Sequence, residues 1–162
     1  MSILNYNNAL SANFKITFPK FPELEFYAVS INIPTTQLSA IEVAYRDTRA
    51  KVPDDKFEWD DINIQFILDE NLYVYELMKK WNTDARNVPN WLDAMLDIVV
   101  QPLDSNKSIE YSFVLQGAFP TVVNGWQYNS ALMSSEAISF DVVFAYQDFS
   151  IKRIKELEFH LI

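Results

Sequence analysis

The sequence predicts a mainly β domain with one flanking α-helix, its strands antiparallel and folded into a barrel or sandwich, on three observations. Residues 109–115 and 138–146 place apolar side chains on every second position, the period of a strand with one buried face. Aromatic residues reach 15%, with twelve Phe and eight Tyr, a composition that suits pleated, half-buried surfaces. Leu72, Tyr75, Met78 and Trp81 recur near helical spacing, the best helical pattern in the chain.

From the N-terminus, Phe14, Ile16 and Phe18 alternate with Lys15 and Thr17 as a short strand. Pro19 and Pro22 end it, because proline cannot donate to a ladder. Residues 24–33 read as a second strand, with Tyr27, Val29, Ile31 and Ile33 on one face and Pro34 as the stop. Ile41, Val43 and Tyr45 then alternate with Glu42, Ala44 and Arg46, a further strand. Residues 47–61 are dense in charge, with Asp47, Arg49, Lys51, Asp54, Asp55, Lys56, Glu58, Asp60 and Asp61. A segment so polar cannot anchor a core. The region 35–61 therefore reads as an extended hairpin or arm, polar over 47–61, with Phe57 and Trp59 as apolar anchors. Irregular insertions of this length in compact domains are usually functional.

Residues 62–68 return to clean alternation. Asp69, Glu70 and Asn71 mark a helix start, supplying a side-chain cap and negative charge at the positive end of the dipole. Lys79 and Lys80 occupy its last turn. A loop over 82–90 contains Pro89, a short helical turn begins at Trp91, and 96–101 is a strand turned at 104–107 into the next. A break is expected at Gly117-Ala118-Phe119-Pro120-Thr121, followed by a connector over 122–135 that holds Gly125 and Trp126. The tail, 148–162, mixes Lys152, Arg153 and Lys155 with Ile154, Leu157, Phe159 and Leu161, and suits an added strand or an arm docking on a neighbour. No internal repeat or low-complexity segment interrupts 1–162, which reads as a single domain large enough to bury about two thirds of its unfolded surface.

The formal net charge of −9 disfavours affinity for nucleic-acid phosphates, yet suits a surface that nucleic acid passes without sticking. There is no Cys, hence no disulfide, thiolate nucleophile or zinc-thiolate site, and two Gly are too few for a phosphate cradle. The start carries no secretory pattern and no run approaches a membrane span, so a soluble, cytoplasmically made chain is expected. The single histidine, His160, stands two residues from the end, a poor place for a rigid triad. Asp54, Asp55, Glu58, Asp60 and Asp61 lack EF-hand spacing and read as a solvated or interfacial cluster. Glu110 and Asp141 could form a glycosidase-like pair across two strands, but alternation alone puts both on polar faces. Trp59, Trp81, Trp91 and Trp126 are better suited to packing than to stacking ligands. No catalytic, cofactor-binding or metal site is expected.

Several stretches, in this order, resemble the tail-tube protein family of contractile-tailed bacteriophages. They are Phe14 to Phe18; Tyr27 to Pro34; Val52-Pro53-Asp54-Asp55-Lys56-Phe57; Ile62 through Asp69-Glu70-Asn71-Leu72-Tyr73-Val74-Tyr75 with Trp81; Gly117 to Thr121; and Ile138 to Phe144. Asp54 stands where the family pattern suggests glycine, and the tail beyond Ser150 is longer than the family needs. These departures keep a tube initiator at the baseplate open beside the bulk tube subunit.

The resemblance implies a β-barrel or sandwich of the tail-tube type, related in fold to the type VI secretion tube protein. It implies homo-oligomeric six-fold rings stacked head to tail into a hollow tube, which conducts DNA and is driven through the host envelope when the sheath contracts. Partners would be tail sheath and baseplate or tail-terminator proteins, with no small-molecule ligand. The location would be the virion tail, after synthesis in the host bacterial cytoplasm. The arm residues Asp47, Arg49, Lys51, Asp54, Asp55, Lys56, Phe57 and Trp59 would make the contact between rings. The polar faces carrying Asp61, Asn63, Gln65, Glu110, Ser112, Ser139 and Asp141 would line the lumen. From another class, a monomeric β-sandwich that binds carbohydrate through exposed Trp and Tyr is the alternative.

Overall fold

The computed structural model describes residues 9–109, 111–131 and 136–153. In chain order these form β1 (Phe14–Thr17), a 3-10 turn (Pro22–Phe26), β2 (Ala28–Ile31), β3 (Thr36–Tyr45), β4 (Thr48–Trp59) and β5 (Ile62–Ile67). There follow α1 (Tyr73–Asn87), a second 3-10 turn (Trp91–Ala94), β6 (Leu96–Pro102), β7 (Tyr111–Val123), β8 (Ser139–Ala145) and β9 (Asp148–Arg153).

Seven strands make one antiparallel sheet in the order β1-β6-β7-β8-β5-β2, with β9 added beside β7. β7 is the pivot. Its first half lies between β6 and β9, and its second half pairs with β8. The sheet folds over at this strand, so that β1 and β6 meet β5 and β8 across one core. Phe18, just beyond β1, packs 6.0 Å from the Phe66 ring and 6.3 Å from Phe144. β1 and β2 stay unpaired with each other at the two ends of the strand order, so the architecture is an open sandwich and not a closed barrel.

The expected break at Gly117–Thr121 is absent, because a bulge carries the strand through. Gly117 takes φ +65°, which glycine adopts without steric cost, and its N–H donates to Asp97 Oδ1. Pro120, which cannot donate, sits where the β7–β8 register shifts, the position a strand proline tolerates. The expected strand over 24–33 is shorter than read. Pro22 starts a 3-10 turn, Leu24 of that turn is fully buried, and only Ala28–Ile31 pairs with β5.

The helix begins later and ends later than its apolar spacing suggests, at Tyr73 and Asn87. Leu72 enters it with φ 56°, and Asp69 supplies the cap, its carboxylate accepting from Tyr73 N–H at 3.1 Å and Val74 N–H at 3.3 Å. Val74, Met78 and Trp81 form the buried stripe that closes the core, and Trp81 donates its indole N–H to Ala94 O. The turn at 104–107 and the helical turn at Trp91 fall where the sequence puts them.

Candidate assembly interface

The arm is an ordered hairpin. β3 and β4 pair only with each other, through a tight turn at Arg46 and Asp47 in which Arg46 takes φ 55°. Residues directly opposite in an antiparallel pair share a face. Ile41 faces Val52, Val43 faces Ala50 and Tyr45 faces Thr48, which makes one side apolar. On the other side Glu42 faces Lys51 and Ala44 faces Arg49, with Arg49 bridging to Glu42 at 3.5 Å. Among the described residues nothing covers the apolar side: Ile41 is 48% exposed, Val43 45%, Tyr45 65% and Val52 39%. A lone two-stranded hairpin is marginal in water. An uncovered apolar face on one marks a surface made for contact.

Of the residues expected to make the arm's contacts, Asp47, Arg49, Lys51, Asp55 and Lys56 are exposed, Asp54 and Trp59 are half-buried, and the Phe57 backbone pairs with Leu38. Charge density drew the sequence reading to 47–59. The alternation of Ile41, Val43 and Tyr45 marked a strand of the arm but gave no sign that its apolar face is left open.

At the hairpin's root, Trp59 lies 6.4 Å from the Tyr146 ring, and the Tyr146 hydroxyl donates to Asp60 O at 2.7 Å. Burial, with the carboxylates of Asp61 and Asp60 nearby, pushes the Tyr146 phenol up to about 12. Asp60 N–H donates across to Thr35 O, joining the two legs of the arm. Nothing in the local sequence around Tyr146 signalled this role.

Four of the expected lumen residues come together on the outer face of β5 and β8. Asn63 lies opposite Val143, Gln65 opposite Asp141, and Ile67 opposite Ser139. Gln65 Nε2 donates to Ser139 Oγ at 2.8 Å, and Ser30 of β2 donates to Gln65 Oε1 at 3.2 Å, so a polar rung crosses three strands. Asp61 is exposed just before β5. Ser112 departs from the expectation. It is buried on the part of β7 flanked by β6 and β9, opposite Lys152, and does not join this face. Glu110 and His160 lie outside the described residues, as does the tail beyond Arg153; the tail's first part is the added strand β9.

Trp81 is core and Trp126 half-buried against Tyr75 and Phe140, so neither offers a flat exposed platform. A groove of about 610 Å³ runs beside α1, its lining including Phe21, Leu77, Trp81 and Val88 with both basic and acidic side chains, among them Lys80 and Asp84. Among the described residues no three His, Cys, Asp or Glu side chains gather as a metal site.

No protein-family model matches the sequence. The tail tube protein of Serratia phage KSP90 is 27% identical over 133 residues, covering 74% of this chain and 75% of that one. The resemblance to tail-tube proteins holds. The fold agrees: a chain of the anti-feeding prophage baseplate superposes with a TM-score of 0.70, covering 93% of this chain and 99% of its own at 11% identity. A chain of the sheath-tube complex of an extracellular contractile injection system, in its extended state, gives 0.58 over 93% and 95% at 11% identity. A type six secretion system protein gives 0.52 over 85% and 81%, again at 11% identity. The open sandwich is thus a fold that this chain shares with chains of contractile injection systems.

Proposed function

We propose that this chain is the structural subunit of a contractile tail tube, in which copies close into six-fold rings and the rings stack into a hollow conduit for DNA. Its role is structural rather than catalytic, its place is the virion tail, and its neighbours are sheath, baseplate and terminator proteins. The observation that carries this reading is the likeness to a phage tail tube protein over three quarters of both chains. The geometry supports it. A sandwich whose end strands each keep one open edge can continue its sheet into another copy, and ring closure removes those edges. A head-to-tail contact that repeats makes a filament by symmetry. The hairpin's apolar face is the contact to the next ring, and the rung of Ser30, Gln65 and Ser139 beside Asn63 and Asp141 faces the channel. The Gln65 amide and the Ser30 and Ser139 hydroxyls are already bonded to one another, and the neighbouring Asp141 carboxylate repels phosphates.

A second reading, a baseplate initiator that makes one ring and accepts the tube on one side, is favoured by the higher TM-score against the baseplate chain, 0.70 against 0.58. Negative-stain imaging of the purified protein separates the two. Long hollow filaments are expected; isolated rings would favour the initiator; single compact particles at every concentration would overturn both.

A further inference from the structure

We propose that Tyr146 is a positioning residue that clasps the root of the hairpin and fixes the arm's direction in the free subunit, before any neighbour is met. The β5–β8 ladder makes the case. Its register pairs Ile62 with Phe144, and one turn of the pleat further out it brings Tyr146 level with Asp60. Strand pairing stops there, and among the described residues β3 and β4 pair only with each other and no ladder ties the hairpin to the body. An arm joined only through residues 34–35 and 60–61 would swing. The Tyr146 hydroxyl takes up the Asp60 carbonyl that the ladder leaves, its ring abuts Trp59 at the arm's last position, and Asp60 N–H ties the other leg at Thr35. Tyr146 itself is seated firmly. It follows β8, packs against the core cluster, and precedes Gln147, whose N–H donates to Gln116 O on β7.

Such a clasp matters because binding is weakened by whatever freedom it must remove. A pre-aimed arm loses less on docking than a loose one. The high phenol pKa keeps the donor proton in place throughout the neutral range. The effect on assembly rests on the tube reading, whereas the clasp itself is a property of the single subunit.

The test uses the full chain, which lacks cysteine, so Asp47→Cys with Arg86→Cys places two spin labels and no others. In dilute protein the distance from arm tip to helix should be narrowly distributed. Tyr146→Phe, which keeps the ring and removes the hydroxyl, should broaden it. Amide exchange over 36–59 should rise roughly three- to tenfold, the range expected from one lost hydrogen bond, with β5 and β8 unchanged. Trp59→Leu weakens the same joint from the arm side and should broaden the distances likewise. Identical distributions in wild type and both variants, or a broad one already in wild type, would overturn the proposal. If wild type forms no tubes, the tube reading fails, and the distances still decide the clasp.

Discussion

On the tube reading, replacing Ile41 and Val52 together by serine should weaken the contact between rings while leaving the subunit folded. The two side chains oppose each other across the hairpin and keep 48% and 39% of their surface exposed. Fully burying such a side chain is worth about 1.5–3 kcal/mol, so the fraction left for a partner is about 0.6–1.4 kcal/mol each. For the pair this is about 1.3–2.6 kcal/mol per contact, which raises the concentration needed for assembly roughly ten- to seventyfold. Within the free subunit the loss is limited to one cross-strand pair, about 0.2–1 kcal/mol. The control is Glu42→Gln with Arg49→Gln on the opposite face. That ion pair is 3.5 Å long between side chains 54% and 81% exposed, and such pairs contribute about 0–1 kcal/mol. Sedimentation of tubes across a concentration series reads both variants against wild type. Assembly of the serine variant at the wild-type concentration, or failure of the charge variant instead, would refute the assignment of the apolar face as the contact.

Four further outcomes are expected. Phe144→Ala, which removes a fully buried ring 5.5 Å from Trp81 and 6.3 Å from Phe18, should cost about 3–5 kcal/mol in denaturant unfolding. Asp69→Ala should lower stability by about 0.5–2 kcal/mol, because two N–H groups at the start of α1 lose their acceptor. The Tyr146 phenol is raised from 10.0 to about 12, so its contribution is complete below pH 10 and is lost as pH climbs towards 12. Unfolding of wild type and of Tyr146→Phe should therefore differ in its pH dependence only in that window, with the wild-type advantage full below it and fading across it. Asp61→Lys with Asp141→Lys should slow DNA release from particles without blocking their assembly, measured as the rate of DNA delivery; an unchanged rate would count against the channel-facing assignment.

The body of the fold was legible wherever burial is one-sided. β5 and β8 alternate cleanly, and that alternation correctly put Asn63, Gln65, Ser139 and Asp141 on one face. The departures share one cause, in that long-range partners decided against local signals. Gly117 and Pro120 are breakers by themselves, but Asp97 bonds the glycine N–H and register shifts accommodate both residues. Asn82 and Thr83 are weak helix formers, yet the helix runs through them because Asn82 Nδ2 donates to Pro120 O and Thr121 O on β7. Ser112 looks like a surface residue until β9 is added beside it from the far end of the chain. In the arm the charges were conspicuous and the apolar face was not, because alternation does not tell whether a face meets its own core or a neighbour's.

On the tube reading the subunit polymerises yet must avoid sticking at random, and its strand lengths divide the problem. The strands at the two ends of the sheet order, β1 and β2, have four residues each, and β1 carries Lys15 bridged to Glu25. Edges that short are poor templates for stray pairing. The hairpin strands have ten and twelve residues and carry the apolar face, but that face ends at a charged tip of Arg46 and Asp47. Association should become strong only when a neighbour engages the short edges and the long arm together, since the second contact then forms at high effective concentration. Tube growth should accordingly begin on a preformed ring more readily than from free subunits.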